Sequence, residues 1–121
     1  EITVVNKDII GRDGEVVKYI DTNNKVSRCT VIIYGEDEKS TSDYYFIEGY
    51  IYVTILKEYY TYPIYYSYNR PVDIMYRTFD EAVIYDGKIY KLVNGEFIKK
   101  DIDDVKMPYT SLQEINEAIG E

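Results

Sequence analysis

Tyrosine is the most distinctive residue type of this chain, and its distribution along the sequence is uneven. The sequence has 121 residues and 16 tyrosines, of which 11 lie within residues 44–76 together with only five charged residues. A tyrosine combines a rigid apolar ring with a hydroxyl, which suits a surface that is hydrated when free and covered when bound. Tyrosine is also a common strand residue. The sequence therefore leaves open whether these rings form a binding face or belong to the core.

The candidate contact residues come from this tyrosine-rich segment and two polar neighbours. They are Tyr50, Tyr52, Tyr59, Tyr60, Tyr62, Tyr65, Tyr66, Tyr68, Arg70 and Asp73. In a protein interface the rings would supply the residues that dominate binding energy. In a glycan site the rings would stack on sugars, with Asn69, Arg70 and Asp73 as hydrogen-bonding groups.

Catalytic chemistry finds little support in the composition. The chain has no histidine, which removes the usual general base near neutral pH and the commonest nitrogen metal ligand. The single cysteine, Cys29, rules out an internal disulfide, and its apolar run 26–34 predicts a buried thiol. The acidic stretch 101–104 lacks the glycine and closing glutamate of a calcium loop. We therefore expect no enzyme, no cofactor and no metal.

The charge balance points away from nucleic acid and towards a basic partner. The formal net charge is −8, whereas binding to nucleic acid draws most of its affinity from Lys and Arg. No apolar run approaches the roughly 18 residues of a membrane-spanning helix. Because the chain begins at Glu1, we expect that a signal peptide, lipid anchor or tag has been removed, and the sequence leaves open which of them. A secreted or cell-envelope location is favoured slightly over the cytoplasm.

Gly-containing dipeptides divide the chain into strands. Asp13-Gly14, Glu48-Gly49, Asp86-Gly87 and Asn94-Gly95 each separate two strand-like runs, as two-residue hairpin turns do. The predicted strands lie within 2–5, 15–20, 26–34, 44–47, 50–56, 82–85, 88–93 and 96–99, with a longer hairpin loop at 21–25.

Three further segments are assigned from polarity and capping signals. Residues 35–43 are expected to form a polar loop, and residues 78–81 a short helical turn. Ser111 followed by Glu114 is a capping-box pattern, which predicts a C-terminal helix within 108–120. The whole predicts one α+β domain over residues 1–121: a single antiparallel, meander-rich sheet of seven or eight strands with this helix packed on one face.

Side-chain alternation along the predicted strands divides the sheet into two faces. An aliphatic side would carry Ile47, Ile51, Val53, Ile55, Ala82, Ile84 and Ile89, covered by Leu112, Ile115 and Ile119 of the helix. An aromatic side would carry Phe46, Tyr50, Tyr52, Val83, Tyr85, Tyr90 and Phe97. The aromatic side has no predicted cover, so it is either a binding face or an ordinary set of strand residues.

Two functions from different classes follow from these features. The first is a non-enzymatic protein-binding module, such as an immunity protein or other antagonist, with an acidic, tyrosine-rich surface that attracts a basic partner. The second is a secreted or envelope-anchored domain that holds a carbohydrate or cell-wall polymer on its aromatic side. Acids around an exposed tyrosine patch would favour the first, and a groove with coplanar rings and polar groups would favour the second.

Overall fold

The chain folds into one antiparallel sheet of eight strands with a short helix near its C-terminus. This computed structural model describes residues 2–9, 12–60, 74–105 and 107–118, and side chains at 14–60, 74–105, 107–111 and 113–117. The strands are β1 (Ile2–Ile9), β2 (Arg12–Ile20), β3 (Val26–Tyr34), β4 (Glu38–Ile47), β5 (Tyr50–Tyr60), β6 (Ile74–Tyr85), β7 (Lys88–Val93) and β8 (Glu96–Lys100). A 3-10 turn (Ile102–Asp104) and helix α1 (Leu112–Ala118) follow. The predicted mostly-β α+β class is confirmed.

Each strand pairs with its neighbours in sequence, so the sheet order runs from β1 to β8 without a crossover. Tight turns set this meander. Asp86 and Gly87 have φ of 51° and 71°, and Asn94 and Gly95 have φ of 50° and 85°. Positive φ at both central positions is the signature of the primed turns that match strand twist. These two predicted hairpins are confirmed, and so is the hairpin at Glu48-Gly49, where Ile47 pairs with Tyr50.

Three predictions of local structure are wrong, each because strand pairing overrides a local signal. Asp13-Gly14 is no turn: it lies inside β2, where Gly14 pairs with both Lys7 and Ile33. The predicted polar loop 35–43 ends early, because β4 begins at Glu38 and is bonded to strands on both sides. The predicted helical turn 78–81 lies within β6. Pairing with a neighbouring strand can therefore outweigh the low strand propensity of individual residues.

Helix α1 begins with the predicted capping box and packs on one face of the sheet, here called the helix face. The Ser111 Oγ accepts from the Glu114 N–H at 3.2 Å, and the Glu114 carboxylate accepts from the Thr110 N–H at 3.0 Å. Ile115 is fully buried in the hydrophobic core together with Val105 and Met107, two residues that the sequence pattern did not assign to the core. The side chains of Leu112 and Ile119 lie outside the described residues.

The core on the helix face is aliphatic along the central strands. Its buried sheet residues are Val16, Cys29, Val31, Ile33, Tyr44, Ile51, Val53, Ile55, Ala82, Ile84 and Ile89. Burying an aliphatic side chain of this size contributes about 1.5–3 kcal/mol. The prediction of a buried thiol at Cys29 is confirmed, since its exposed fraction is 0%.

The predicted faces of two neighbouring residues, Phe46 and Ile47, were wrong. Residues that pair across a two-residue turn lie on the same face. Because Ile47 pairs with Tyr50 and Phe46 with Ile51, Phe46 belongs to the helix face and packs against the core. Ile47 lies instead on the opposite, aromatic side, where it is 43% exposed.

Candidate functional site

The aromatic face is the side of the sheet opposite α1, and one row of paired residues crosses seven of its strands. Each member is the register partner of the next, from β2 to β8: Tyr19, Arg28, Tyr45, Tyr52, Val83, Tyr90 and Lys99. Cross-strand partners on one face have Cβ atoms about 5 Å apart, so their side chains interact. We refer to this set as the transverse row.

The first half of the transverse row is filled by a cation held between two rings. The Arg28 Cζ lies 4.7 Å from the centroid of the Tyr19 ring and 5.1 Å from that of Tyr45. The guanidinium also donates from Nε and from a terminal nitrogen to one carboxylate oxygen of Asp43, at 3.0 and 2.8 Å. Thr30 donates its hydroxyl to the same oxygen. Arg28 is therefore fixed by two rings and one carboxylate.

In the second half of the transverse row, a small side chain leaves a hollow between two tyrosines. Val83 pairs with Tyr52 on one side and with Tyr90 on the other, so a short side chain lies between two long ones. The resulting aromatic groove has a volume of about 480 Å³ and is lined by Tyr50, Tyr52, Val83, Tyr85, Tyr90 and Phe97. The Tyr45 and Tyr52 rings, 5.9 Å apart, join the groove to the Arg28 site.

The groove walls include large side chains that remain in contact with solvent. Tyr50 is 41% exposed, Tyr85 54% and Phe97 48%. Isolated exposed rings are ordinary, whereas several in one concave patch are typical of an interaction site. The aromatic groove is therefore our candidate functional site.

Charged groups of both signs surround the aromatic groove. Burial raises the pKa of the Tyr52 hydroxyl, and a hydrogen bond to the Glu81 carboxylate raises it further. Two exposed acids adjoin groove residues in the chain, Asp86 beside Tyr85 and Glu96 beside Phe97. Two exposed lysines lie on the same face as register partners of groove residues: Lys88 faces Tyr85, and Lys99 faces Tyr90.

The structure divides the ten predicted contact residues. Tyr50 and Tyr52 lie together in the aromatic groove. Tyr59 lies on the helix face, where its ring stacks on Tyr76 with 4.4 Å between centroids and 15° between planes. Tyr60 is at the end of β5, beside a register shift, and its N–H donates to the Asp37 carbonyl at 2.8 Å. Tyr62, Tyr65, Tyr66, Tyr68, Arg70 and Asp73 lie outside the described residues.

The hydroxyls of the described contact tyrosines with shifted pKa values remain protonated at neutral pH. Burial raises the pKa of Tyr59, and the charge of Glu38 adds to the shift. Burial likewise raises the pKa of Tyr60, with Glu58 as the second cause. These groups therefore act as hydrogen-bond donors or acceptors rather than as phenolate nucleophiles.

Four groove residues were absent from the predicted contact set. Val83, Tyr85, Tyr90 and Phe97 had been placed on the aromatic side, and the register confirms that placement. The predicted contact set is based on local tyrosine density, which does not single out these four residues. The hairpin turns contained the better signal, since they fix which residues of β5 to β8 stand side by side.

A second, more polar hollow of about 340 Å³ lies on the other side of the sheet, beside the 3-10 turn. The residues that line it include Lys57, Tyr59, Asp80, Lys91 and Asp104. The Lys91 Nζ lies 3.6 Å from an Asp80 carboxylate oxygen, so part of its charge is neutralised internally. In the part of the chain that the structure describes, no three His, Cys, Asp or Glu side chains are grouped to hold a metal.

Comparison with other proteins adds no functional information. No known family, curated protein or solved structure matches this chain. Among the described residues, no helix has the length and apolar character needed to cross a membrane. The function is therefore inferred from the aromatic face itself.

Proposed function

We propose that this chain is a non-enzymatic protein-binding domain of the immunity or antagonist type, with the aromatic groove as its contact site. The observation that supports this is the grouping of five aromatic side chains around Val83 on the sheet face opposite α1. Tyrosine and phenylalanine give large contact areas with few rotatable bonds, so little conformational entropy is lost on binding. The net charge of −8 favours encounter with a basic partner.

A carbohydrate or cell-wall polymer is the second candidate, because flat rings line a groove rather than a protrusion. The residues that line the groove offer few polar groups besides the tyrosine hydroxyls, however. Sugar sites need several hydrogen-bonding groups to replace the water around the sugar hydroxyls. A protein partner that buries apolar surface fits the described lining better.

Capture of a partner by matched variants tests the proposal. Phe97 and Ile98 are neighbours on β8 with similar exposure, 48% and 41%, but they point to opposite faces because side chains alternate along a strand. A protein partner captured from an extract of the source cells should bind wild type and Ile98→Ser. It should be lost with Phe97→Ser and with Tyr85→Ser.

The purified partner then gives the quantitative result by titration calorimetry. Removing one aromatic side chain at the centre of an interface costs about 2 kcal/mol or more, which is roughly a 30-fold loss of affinity. Equal binding by the Phe97→Ser and Ile98→Ser variants would refute the aromatic groove as the contact site. Binding of cell-wall polymer instead of any protein, with loss in the Phe97→Ser variant, would establish the second candidate.

A further inference from the structure

The transverse row contains the same arrangement twice, and only one copy is complete. In the first copy a β3 residue, Arg28, stands between Tyr19 of β2 and Tyr45 of β4. In the second copy a β6 residue, Val83, stands between Tyr52 of β5 and Tyr90 of β7. The first copy therefore shows that a guanidinium fits between two tyrosines that lie two strands apart.

The spacing of the flanking residues is the same in both copies. Neighbouring strands lie about 4.8 Å apart, so each tyrosine pair has about 10 Å between its backbones. In the complete copy this distance accommodates a guanidinium with rings on both sides, at 4.7 and 5.1 Å from its central carbon. In the incomplete copy the corresponding space above Val83 is the aromatic groove.

The second copy also has a carboxylate on the same face, although it lies on the central strand rather than on a flanking one. Asp43 anchors Arg28 from β4, two residues before Tyr45. Glu81 lies on β6 two residues before Val83, so both side chains are on the same face, and it pairs with Thr54, two residues from Tyr52. Its carboxylate contributes to the raised pKa of the Tyr52 hydroxyl. A planar cation between aromatic faces gains from the ring quadrupoles and from a nearby carboxylate.

Lys88 and Lys99 oppose a cation at this site, and their positions limit their effect. Lys99 is the next member of the row beyond Tyr90, so that ring lies between it and the groove. Lys88 faces Tyr85 and is exposed. Both long side chains can extend into solvent, where their charges are screened.

We propose that the aromatic groove receives an arginine side chain of the partner protein, inserted over Val83 between Tyr52 and Tyr90. This inference rests on the proposed function and specifies the partner: a basic protein that presents an exposed arginine. The inserted guanidinium would have a tyrosine ring on each side, as Arg28 has, with Glu81 as the nearby carboxylate. The groove would thereby select for a planar cation.

An isosteric pair of small probes tests this without a known partner. N-acetyl-arginine amide and N-acetyl-citrulline amide differ chiefly in charge, and both can be titrated into 15N,13C-labelled protein. Arginine amide should shift the Val83 methyl and the Tyr52 and Tyr90 ring signals in a saturable manner. Citrulline amide should bind about two- to fivefold more weakly, the loss expected when an exposed cation–π contact is removed.

Three variants make the test specific to the groove. Glu81→Gln should weaken arginine amide binding several-fold, and Lys88→Gln should strengthen it, because each removes a charge beside the site. Val83→Arg would fill the groove from below, as Arg28 fills its own site, and should abolish the ring shifts. Amide spectra that retain the dispersion of the wild type would show that each variant is folded.

Several outcomes would overturn the inference. Equal binding of both probes would show that charge is not recognised, and shifts confined to other residues would place the cation elsewhere. Absence of any saturable shift in folded wild type, or saturation of the Val83 signals by a chito-oligosaccharide alone, would also overturn it. If the partner still requires Phe97 and Tyr85 while arginine amide fails, the protein-binding function stands and only the arginine assignment is wrong.

Discussion

The hydroxyl of Tyr44 is bonded twice to the backbone of Tyr109. It donates to the Tyr109 carbonyl oxygen at 2.8 Å and accepts from the Tyr109 N–H at 2.9 Å. Tyr44 is fully buried, and its ring lies 6.3 Å from that of Tyr109. One side chain of the sheet thus satisfies both backbone groups of a residue in the segment that leads to α1. Burial is also the main cause of the raised pKa of the Tyr44 hydroxyl.

Tyr44→Phe should destabilise the fold by about 1–3 kcal/mol. The substitution keeps the ring and removes one oxygen, so a donor and an acceptor of Tyr109 lose their partner in a partly buried site. Urea denaturation followed by circular dichroism measures the change. Tyr50→Phe is the matched control, because Tyr50 is 41% exposed. Equal stability of the two variants would contradict a structural role for the Tyr44 hydroxyl.

Groove residues should contribute little to folding, in contrast to the core behind them. Phe97→Ser and Tyr85→Ser should each change the free energy of unfolding by less than about 1 kcal/mol, since both side chains are about half exposed. Ile55→Ala on the helix face should cost about 2–5 kcal/mol, because Ile55 is buried and its truncation leaves a cavity. Thermal and urea unfolding compare the three. Loss of folding in either groove variant would mean that these rings belong to the core.

The capping interactions of α1 should make stability depend on acid pH. Hydrogen bonds from the side chain and backbone of Thr110 hold the pKa of the Glu114 carboxyl below its ordinary value. A carboxyl with a lowered folded-state pKa stabilises the fold fully above its unfolded pKa of about 4.3, and this contribution is lost as pH falls through the folded pKa. Glu114→Gln should therefore be less stable than wild type at pH 7.

The difference between wild type and Glu114→Gln should shrink as the pH is lowered below about 4.3. Urea unfolding at a series of pH values measures it. Ser111→Ala provides the control: it removes the hydroxyl that accepts from the Glu114 N–H and should cost about 0.5–2 kcal/mol. A difference for Glu114→Gln that is constant with pH would show that the charge of Glu114 plays no part.

The ion pair between Arg28 and Asp43 should contribute about 1 kcal/mol of coupling energy. The side chains of Arg28 and Asp43 are 35% and 16% exposed. We therefore expect a coupling energy between that of a fully exposed ion pair and that of a buried one. A double-mutant cycle with Arg28→Met and Asp43→Ala isolates the interaction. Arg77 and Glu58, paired at 3.2 Å with the arginine 58% exposed, form a control pair for which we expect a smaller coupling. Equal coupling in the two cycles would contradict a dependence of the coupling energy on the burial of the arginine.

Glycine at the second position of the hairpin turns with positive φ should contribute to stability. Gly87 has φ of 71°, and a Cβ added there would meet no atom within 4 Å. Any cost of Gly87→Ala is therefore conformational, about 1 kcal/mol. Lys88→Ala, one residue further, should be close to neutral. Thermal unfolding of the two variants gives the comparison, and an unchanged melting temperature for Gly87→Ala would show that the turn adopts another geometry.

The hairpin turns explain why much of the fold was predictable. Asp86-Gly87 and Asn94-Gly95 impose two-residue loops, and loop length fixes which residues pair. The amino-acid sequence alone therefore suffices to place Tyr85, Val83, Tyr90 and Phe97 on one face. Applied to the Glu48-Gly49 turn, the same rule pairs Phe46 with Ile51 and so places Phe46 on the helix face.

Other features depend on partners that are distant in the chain. The polar stretch 38–43 becomes a strand because β3 and β5 bond to both of its edges. Ser42 is fully buried there, although its hydroxyl has no hydrogen-bond partner among the described residues. Local sequence does not reveal the groove either, because Tyr52 and Tyr90 are separated by 38 positions. They become neighbours of Val83 only when β6 pairs with both β5 and β7.

The uncrossed strand order has a consequence for the rate and order of folding. Each hairpin from β2 to β5 and from β6 to β8 closes a short stretch of chain, so little loop entropy is lost as strands add one after another. Contact between Tyr44 and Tyr109 spans 65 residues and can form only once the intervening strands are aligned. The local contacts within each hairpin predict early assembly of the hairpins, with docking of the C-terminal segment as the late step.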